Sequence, residues 1–245
     1  MSIFNNFIYA SGTLGFYGEG YFFHKIHNFP KFPFITKTLT LRPNKGYPLA
    51  VLPTIHSVYN KVSLDNPGVT EWSENIDYDT IKNNTISVFS DNQRDFLVFI
   101  MYLQEYFNHK PLKIEVNFSC PNTGGIYPKY DIPIVDNVQF WLKLNHYQDP
   151  NQYSTMNVEG IRLNSNPTTL FGIPCGVSGR KARDNNWKYI KKYGNQFNIS
   201  GCSWYTIDDI KYLIHELKCK EISIGCQTII NPKEVEKLKD GIEIY

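Results

Sequence analysis

The sequence predicts an α/β fold, a (β/α)8 barrel with some of its helices trimmed, and three observations predict it. Eight short β-rich runs recur along the chain, interleaved with polar or helical sequence. The chain has 245 residues, and barrels of this kind typically run to roughly 250. No internal repeat and no linker rich in Gly, Ser or Pro divides it, so residues 1–245 read as a single domain.

The strand candidates, in order, are Phe7–Ala10, Phe34–Thr38, Ile86–Phe89, Lys113–Phe118, Phe140–Leu144, Gly160–Leu163, Phe197–Ser200 and Glu221–Ile224. The segment Arg94–Phe107 is strongly apolar and long enough for a helix. Thr206–Leu217 opens on Thr206 as N-cap, with Asp209 three residues on as a capping box. Its Ile207, Ile210, Leu213, Ile214 and Leu217 follow helical spacing, so one face packs inward. Pro232–Leu238 places Pro at a first helical position. Between Leu144 and Gly160, Pro150 and polar neighbours leave room for one short helix. Between Leu163 and Trp187 the sequence reads mainly as loop.

The charge balance, 25 Lys+Arg against 23 Asp+Glu, gives no global attraction to nucleic acid or to an anionic membrane. No run approaches the roughly 20 apolar residues of a membrane helix, and the N-terminus lacks a signal-peptide pattern. The five cysteines, Cys120, Cys175, Cys202, Cys219 and Cys226, are odd in number, with no CxxC pair. They form neither a disulfide framework nor an iron–sulfur or zinc signature, which fits a reducing, cytoplasmic setting. His24 and His27 are three apart in an aromatic-rich loop, a weak metal context, so no metal is expected. Clusters such as Asn83-Asn84 and Asn185-Asn186 read as compositional drift.

In a TIM barrel the active site sits at the C-terminal ends of the strands. At or past the ends of the candidate strands stand Ser11 and Gly12; Lys37 and Thr38; Asn117, Ser119, Cys120 and Asn122; Lys143; Asn164 and Ser165; Gly201; and Gly225 and Cys226. Late glycines let backbone N–H groups approach a phosphate. A lysine stabilises negative charge on a reduced flavin, and carboxamides bind the edges of a planar heterocycle. A loop cysteine with a lowered pKa serves as a general base.

Together these motifs resemble the dihydroorotate dehydrogenase family. Tyr9-Ala10-Ser11-Gly12 is similar to its first-strand segment, and Ile35-Thr36-Lys37-Thr38-Leu39-Thr40-Leu41 to its second. Asn60-Lys61-Val62-Ser63-Leu64-Asp65-Asn66-Pro67-Gly68-Val69 resembles a substrate loop, with Ser63 where a glycine is usual. Asn117-Phe118-Ser119-Cys120-Pro121-Asn122 is the most specific match and points to the class 1 type, whose base is Cys. Trp141-Leu142-Lys143-Leu144, Asn164-Ser165, Gly176-Val177-Ser178-Gly179, Ser200-Gly201 and Ile224-Gly225-Cys226 follow in the family's order.

The resemblance implies FMN-dependent oxidation of dihydroorotate to orotate in pyrimidine biosynthesis. Cys120 would take the C5 proton, and a hydride would pass from C6 to flavin N5. Lys37, Asn60, Asn117, Asn122, Asn164 and Ser165 would hold the substrate. Ala10, Ser11, Lys37, Thr38, Asn117, Lys143, Gly176, Gly201, Gly225 and Cys226 would hold the flavin. The electrons would pass to a soluble acceptor, fumarate or a partner electron-transfer subunit, and the resemblance allows a homodimer. Three departures favour an alternative, a non-catalytic barrel descendant acting as a binding or scaffold protein. Cys175 and Ser200 stand where the family pairs glycines, Cys226 replaces a threonine hydroxyl, and the connections from Asn122 to Gly176 are shorter.

Overall fold

The computed structural model describes residues 2–46, 50–61, 64–119 and 130–244. The chain opens with β1 (Ser2–Phe4), β2 (Phe7–Tyr9) and a hairpin of β3 (Ala50–Pro53) and β4 (Ser57–Lys61). There follow α1 (Gly68–Glu74), α2 (Tyr78–Ile81), β5 (Ile86–Val88), α3 (Gln93–Tyr106), β6 (Leu112–Asn117), β7 (Val138–Leu144) and β8 (Gly160–Leu163). A second hairpin, β9 (Asn166–Leu170) and β10 (Ile173–Gly179), leads into α4 (Arg180–Tyr193) and α5 (Ile207–His215). The chain closes with β11 (Ile222–Ile224), α6 (Gln227–Ile230), α7 (Pro232–Glu236) and β12 (Ile242–Ile244), which pairs with β1.

The fold is mixed α/β with parallel sheets. β5, β6, β7 and β8 form one four-stranded parallel sheet, and β11 pairs parallel with β2. Single parallel bridges join Tyr9 to Phe34, Ile35 to Thr85, Leu39 to Val88, Ile161 to Ile199 and Gly201 to Ile222. The succession of parallel pairs runs from β2 through residues 34–39, β5 to β8 and residues 199–201 to β11, and β11 pairs again with β2. The predicted strands at 34–38 and 197–200 are thus isolated bridges among the described residues.

Alternation along the strands sorts side chains to two faces. Leu112, Ile114 and Val116 of β6, with Phe140, Leu142 and Leu144 of β7, join Phe96, Phe99, Ile100 and Leu103 of α3 in the buried apolar core. The opposite face carries Glu115 and Asn117, paired in register with Trp141 and Lys143, which pair in turn with Gly160 and Arg162. Gly160 is there because a Cβ would stand 2.3 Å from the Asn198 carbonyl and 2.6 Å from the Trp141 ring.

The predicted helices at 94–107, 206–217 and 232–238 are α3, α5 and α7, within a few residues at each end. Thr206 accepts from the Asp209 N–H and Asp209 reaches back, the full capping box. The Leu144–Gly160 connection holds one 3-10 turn, Pro150–Tyr153. The expectation of loop between Leu163 and Trp187 is corrected: this stretch is β9, β10 and the first half of α4. Pro167 and Pro174 interrupt the hairpin, and its turn is Phe171-Gly172, both at positive φ, rather than Asn-Gly. α4 begins after Gly179, with no capping side chain and no acidic residue in its first turn, so no helix start is written in its sequence. These strands and β3–β4 form an antiparallel sheet in the order β3-β4-β10-β9 beside the parallel strands.

Candidate functional site

A cavity of about 860 Å³ opens at the C-terminal ends of the parallel strands. Ala10 and Ser11 reach it past β2, Lys37 and Thr38 from the second parallel segment, and Asn117 and Lys143 from the ends of β6 and β7. Asn164 and Ser165 line it past β8, Gly225 and Cys226 past β11, and Asn60 from β4. Ser63, Cys120 and Asn122 lie outside the described residues.

The carboxamides converge on the residue before Cys120. The Asn117 side-chain oxygen accepts from both the N–H and the hydroxyl of Ser119, each at 3.2 Å. Asn145 and Asn164 each donate to the Ser119 carbonyl at 3.1 Å, and Asn164 also donates to its hydroxyl at 3.0 Å. Three asparagines from successive strand ends therefore set where the chain leaves Ser119. The Asn164 oxygen accepts from the Ser165 N–H at 2.8 Å, which orients that pair.

Hydroxyls connect this amide group to buried charge. Ser11 lies 3.4 Å from Thr38, Asn117 donates to Thr38 at 3.3 Å, Thr38 and Ser87 share a 3.0 Å bond, and Ser87 donates to Glu115 at 3.1 Å. Glu115 is 1% exposed and faces the Lys143 ammonium at 3.6 Å and the Arg162 guanidinium at 3.8 Å. Arg162 forks onto Glu221 through Nε and Nη2, both at 3.0 Å, and stacks 4.1 Å over Trp141. Two cations and two carboxylates thus balance inside the parallel strands. On the opposite wall Lys37 donates to the Asp65 carbonyl at 2.7 Å; burial pulls its pKa below the usual lysine range, and the Asp65 charge offsets part of this.

Glu115, Arg162 and Glu221 escaped the sequence reading, which inspected only residues just past each strand. The signal was present in the alternation: Glu115 stands two residues before Asn117 and so shares its face.

The glycines divide. Gly225 lines the cavity, but its N–H donates to the Gln227 side chain at 2.9 Å, and Gln227 is anchored on the Trp204 carbonyl at 2.8 Å. Burial pushes the neighbouring Cys226 thiol up to about 11. Gly176 and Gly201 are not brought to the cavity wall. Gly176 pairs with Asn60, and a Cβ there would meet the Ser165 hydroxyl at 2.4 Å, so it serves the approach of two site side chains. Gly201 packs on Ile222 and Cys219. The left-handed turn in its segment falls on Ser203, at φ 60.

Among the described residues there is no group of three or more side chains arranged to hold a metal ion, and no helix long and apolar enough to cross a membrane.

The dihydroorotate dehydrogenase family model matches residues 1–131. The chain is similar to dihydroorotate dehydrogenase B (NAD(+)), catalytic subunit, of Thermoplasma volcanium, at 31% identity over 49% of this chain and 40% of the relative. Its similarity to the protein of the same name in Caldicellulosiruptor bescii is 27%, over 98% of this chain and 90% of the relative. The counterpart in Thermotoga maritima is 30% identical over 52% of this chain and 47% of the relative. The first and third matches span less than half of the relative's length. The second runs over 281 aligned residues, more than the 245 of this chain, so that relative carries segments this chain lacks.

Proposed function

The chain belongs to the dihydroorotate dehydrogenase family, and we propose that it is an FMN-dependent oxidoreductase converting dihydroorotate to orotate. One observation carries the reading. A single cavity gathers Lys37, Asn60, Asn117, Lys143, Asn164 and Ser165, with Ser119 held by three carboxamides at the entry to Cys120. The ring of parallel pairs supports a (β/α)8 barrel as the scaffold, and residues 1–245 as one domain.

The residues present fit FMN on two counts. The cavity lies within the roughly 300–1,000 Å³ of cofactor sites, and its wall carries the Lys37 and Lys143 ammonium groups and the carboxamides of Asn117 and Asn164, donors suited to the polar edges of a flavin. Ala10, Ser11, Lys37, Thr38, Asn117, Lys143, Gly225 and Cys226 would hold it. Bound FMN supplies a hydride acceptor. Cys120 takes the proton from C5 of the substrate. Asn60, Asn117, Asn122, Asn164 and Ser165 bind the polar edges of the heterocycle, as carboxamides and hydroxyls do. Lys37 sets a positive charge beside the substrate, and Lys143, 3.6 Å from Glu115, stabilises negative charge that develops in the reaction. The relatives' name, a catalytic subunit of an NAD(+) enzyme, supports a partner subunit rather than fumarate as electron acceptor.

A second reading, a non-catalytic descendant, has one observation in its favour: Gln227 occupies the Gly225 N–H. The visible spectrum separates the two. Purified protein reconstituted with FMN shows a flavin band that bleaches on adding dihydroorotate, and Cys120→Ala slows bleaching by about 10²–10⁴-fold. A chain that stays colourless after FMN is added refutes the enzyme.

A further inference from the structure

We propose that Gln148 and Asn145 are positioning residues for proton abstraction, acting through the backbone that leads from β6 to Cys120. The inference rests on the reading of Cys120 as the base. Neither residue lines the cavity. Both stand just past β7, in the short connection to β8.

β6 and β7 keep parallel register as far as Asn117 and Lys143, and one step on the Phe118 N–H donates to the Lys143 carbonyl at 3.1 Å. The bonds of a parallel ladder are evenly spaced, so the Asn145 N–H is the next donor due at the Phe118 carbonyl. The Gln148 carboxamide stands between them. Its oxygen accepts from the Asn145 N–H at 2.7 Å, and its nitrogen donates to the Phe118 carbonyl at 3.2 Å. A side-chain amide thus replaces a direct ladder bond, parting the strand ends while both backbone groups stay paired. The turn beyond holds Gln148 in place. Its N–H donates to the Asn145 carbonyl at 3.0 Å, and its amide nitrogen also donates to the Tyr153 hydroxyl at 3.4 Å.

Asn145 fixes the next carbonyl. It is 0% exposed, and its amide donates to the Ser119 carbonyl at 3.1 Å and to the Tyr147 hydroxyl at 3.0 Å. Two consecutive carbonyls, those of Phe118 and Ser119, are therefore each held by a carboxamide from the β7–β8 connection. They are the last two before Cys120 in the sequence. A general base works only within hydrogen-bond reach of the proton it takes. A misplacement of about 1 Å, caused far from the chemistry, costs about 10²-fold in rate.

The test follows flavin reduction by dihydroorotate in the full-length chain reconstituted with FMN, by anaerobic stopped flow. Gln148→Leu is expected to slow reduction at saturating dihydroorotate by about 10–100-fold. The Kd of FMN and the half-saturating dihydroorotate concentration should not change. Gln148→Glu keeps the shape and the acceptor but loses the donor to Phe118; it should slow reduction as well, and serves where the leucine variant fails to fold. Asn145→Ala should have the smaller effect, because Asn164 still donates to the Ser119 carbonyl. The deciding measurement adds the Gln148 change to Cys120→Ala. A residue that acts only through Cys120 then has nothing left to position, so the double variant should be no slower than Cys120→Ala. A further loss in the double variant overturns the proposal. So do Gln148 variants that keep the wild-type rate, or a slowing accounted for by weaker FMN or substrate binding. Wild-type rates in Cys120→Ala itself refute the base reading and this inference with it.

Discussion

Replacing Glu221 by Leu removes the carboxylate on which Arg162 forks. Both guanidinium bonds, through Nε and Nη2 at 3.0 Å, are lost at once. The Arg162 side chain is 5% exposed, so water does not take over. What remains is Glu115 at 3.8 Å, beyond hydrogen-bond reach, and the Trp141 face at 4.1 Å. The interior then holds Lys143 and Arg162 against Glu115 alone. Breaking a buried pair by removing one partner costs about 3–5 kcal/mol, because the survivor stays desolvated. The residual contacts set the expectation near the lower end, about 3 kcal/mol. With a urea slope of about 2–3 kcal/mol/M for a chain of this size, the unfolding midpoint falls by roughly 1 M. Arg162→Met added to Glu221→Leu should recover much of that, since an uncharged pair carries no desolvation penalty and Glu115 keeps Lys143 at 3.6 Å. A single variant within about 0.3 M of wild type, or a double variant no better than the single, refutes the claim that removing Glu221 leaves Arg162 as an uncompensated buried charge.

Two further predictions follow from the cavity rim. Gly179 has φ 83, and a Cβ there would stand 2.6 Å from the His56 carbonyl, so Gly179→Ala should cost about 1–3 kcal/mol in a urea titration; a neutral result would mean the β10–α4 junction relaxes freely. His24 accepts the Tyr21 N–H on Nδ1 while its buried Nε2 has no partner among the described residues, and burial, then the His27 charge, pushes its pKa from 6.5 down to about 4. The unfolded chain therefore binds this proton first. The His24 contribution to stability is whole above about pH 6.5 and is lost as pH falls toward 4. His24→Leu should flatten the drop in Tm over that window, and an unchanged drop assigns it to other groups.

The outline of the fold was legible because its signals are local. Thr206 with Asp209, Pro232, and the alternating runs at 112–117 and 138–144 each specify an element within a few residues. The antiparallel sheet was not legible. β9 shows the solvent every second residue, contains Pro167, and is held by pairing with β10, whose partner β4 is more than a hundred residues away in sequence. Such strands owe their existence to tertiary contact rather than propensity. In the site, amides and lysines past each strand could be read, because the chain leaves a strand end with its side chains over the cavity. Glu115, Arg162 and Glu221 could not, since each looks like an ordinary charged residue until the register of four strands sets them together.

The polar interior explains how shortened connections are tolerated. Barrels commonly fill the space within the strands with branched apolar side chains; here that space holds Ser87, Glu115, Lys143 and Arg162, so apolar cohesion must come from the outward faces of the strands. Those faces need cover, and between β7 and β8 the chain supplies only a 3-10 turn. Tyr153, from that turn, is 4% exposed and packs 5.4 Å from Phe118. Tyr130 lies 4.9 Å from both Phe118 and Phe96, which ties the β6 end to α3. One aromatic ring buries about 150–250 Å², comparable to what two small aliphatic residues of a helix face would provide. These buried rings are therefore structural in this chain. Rings stand in for missing helix turns, and the interior is left free to be hydrophilic.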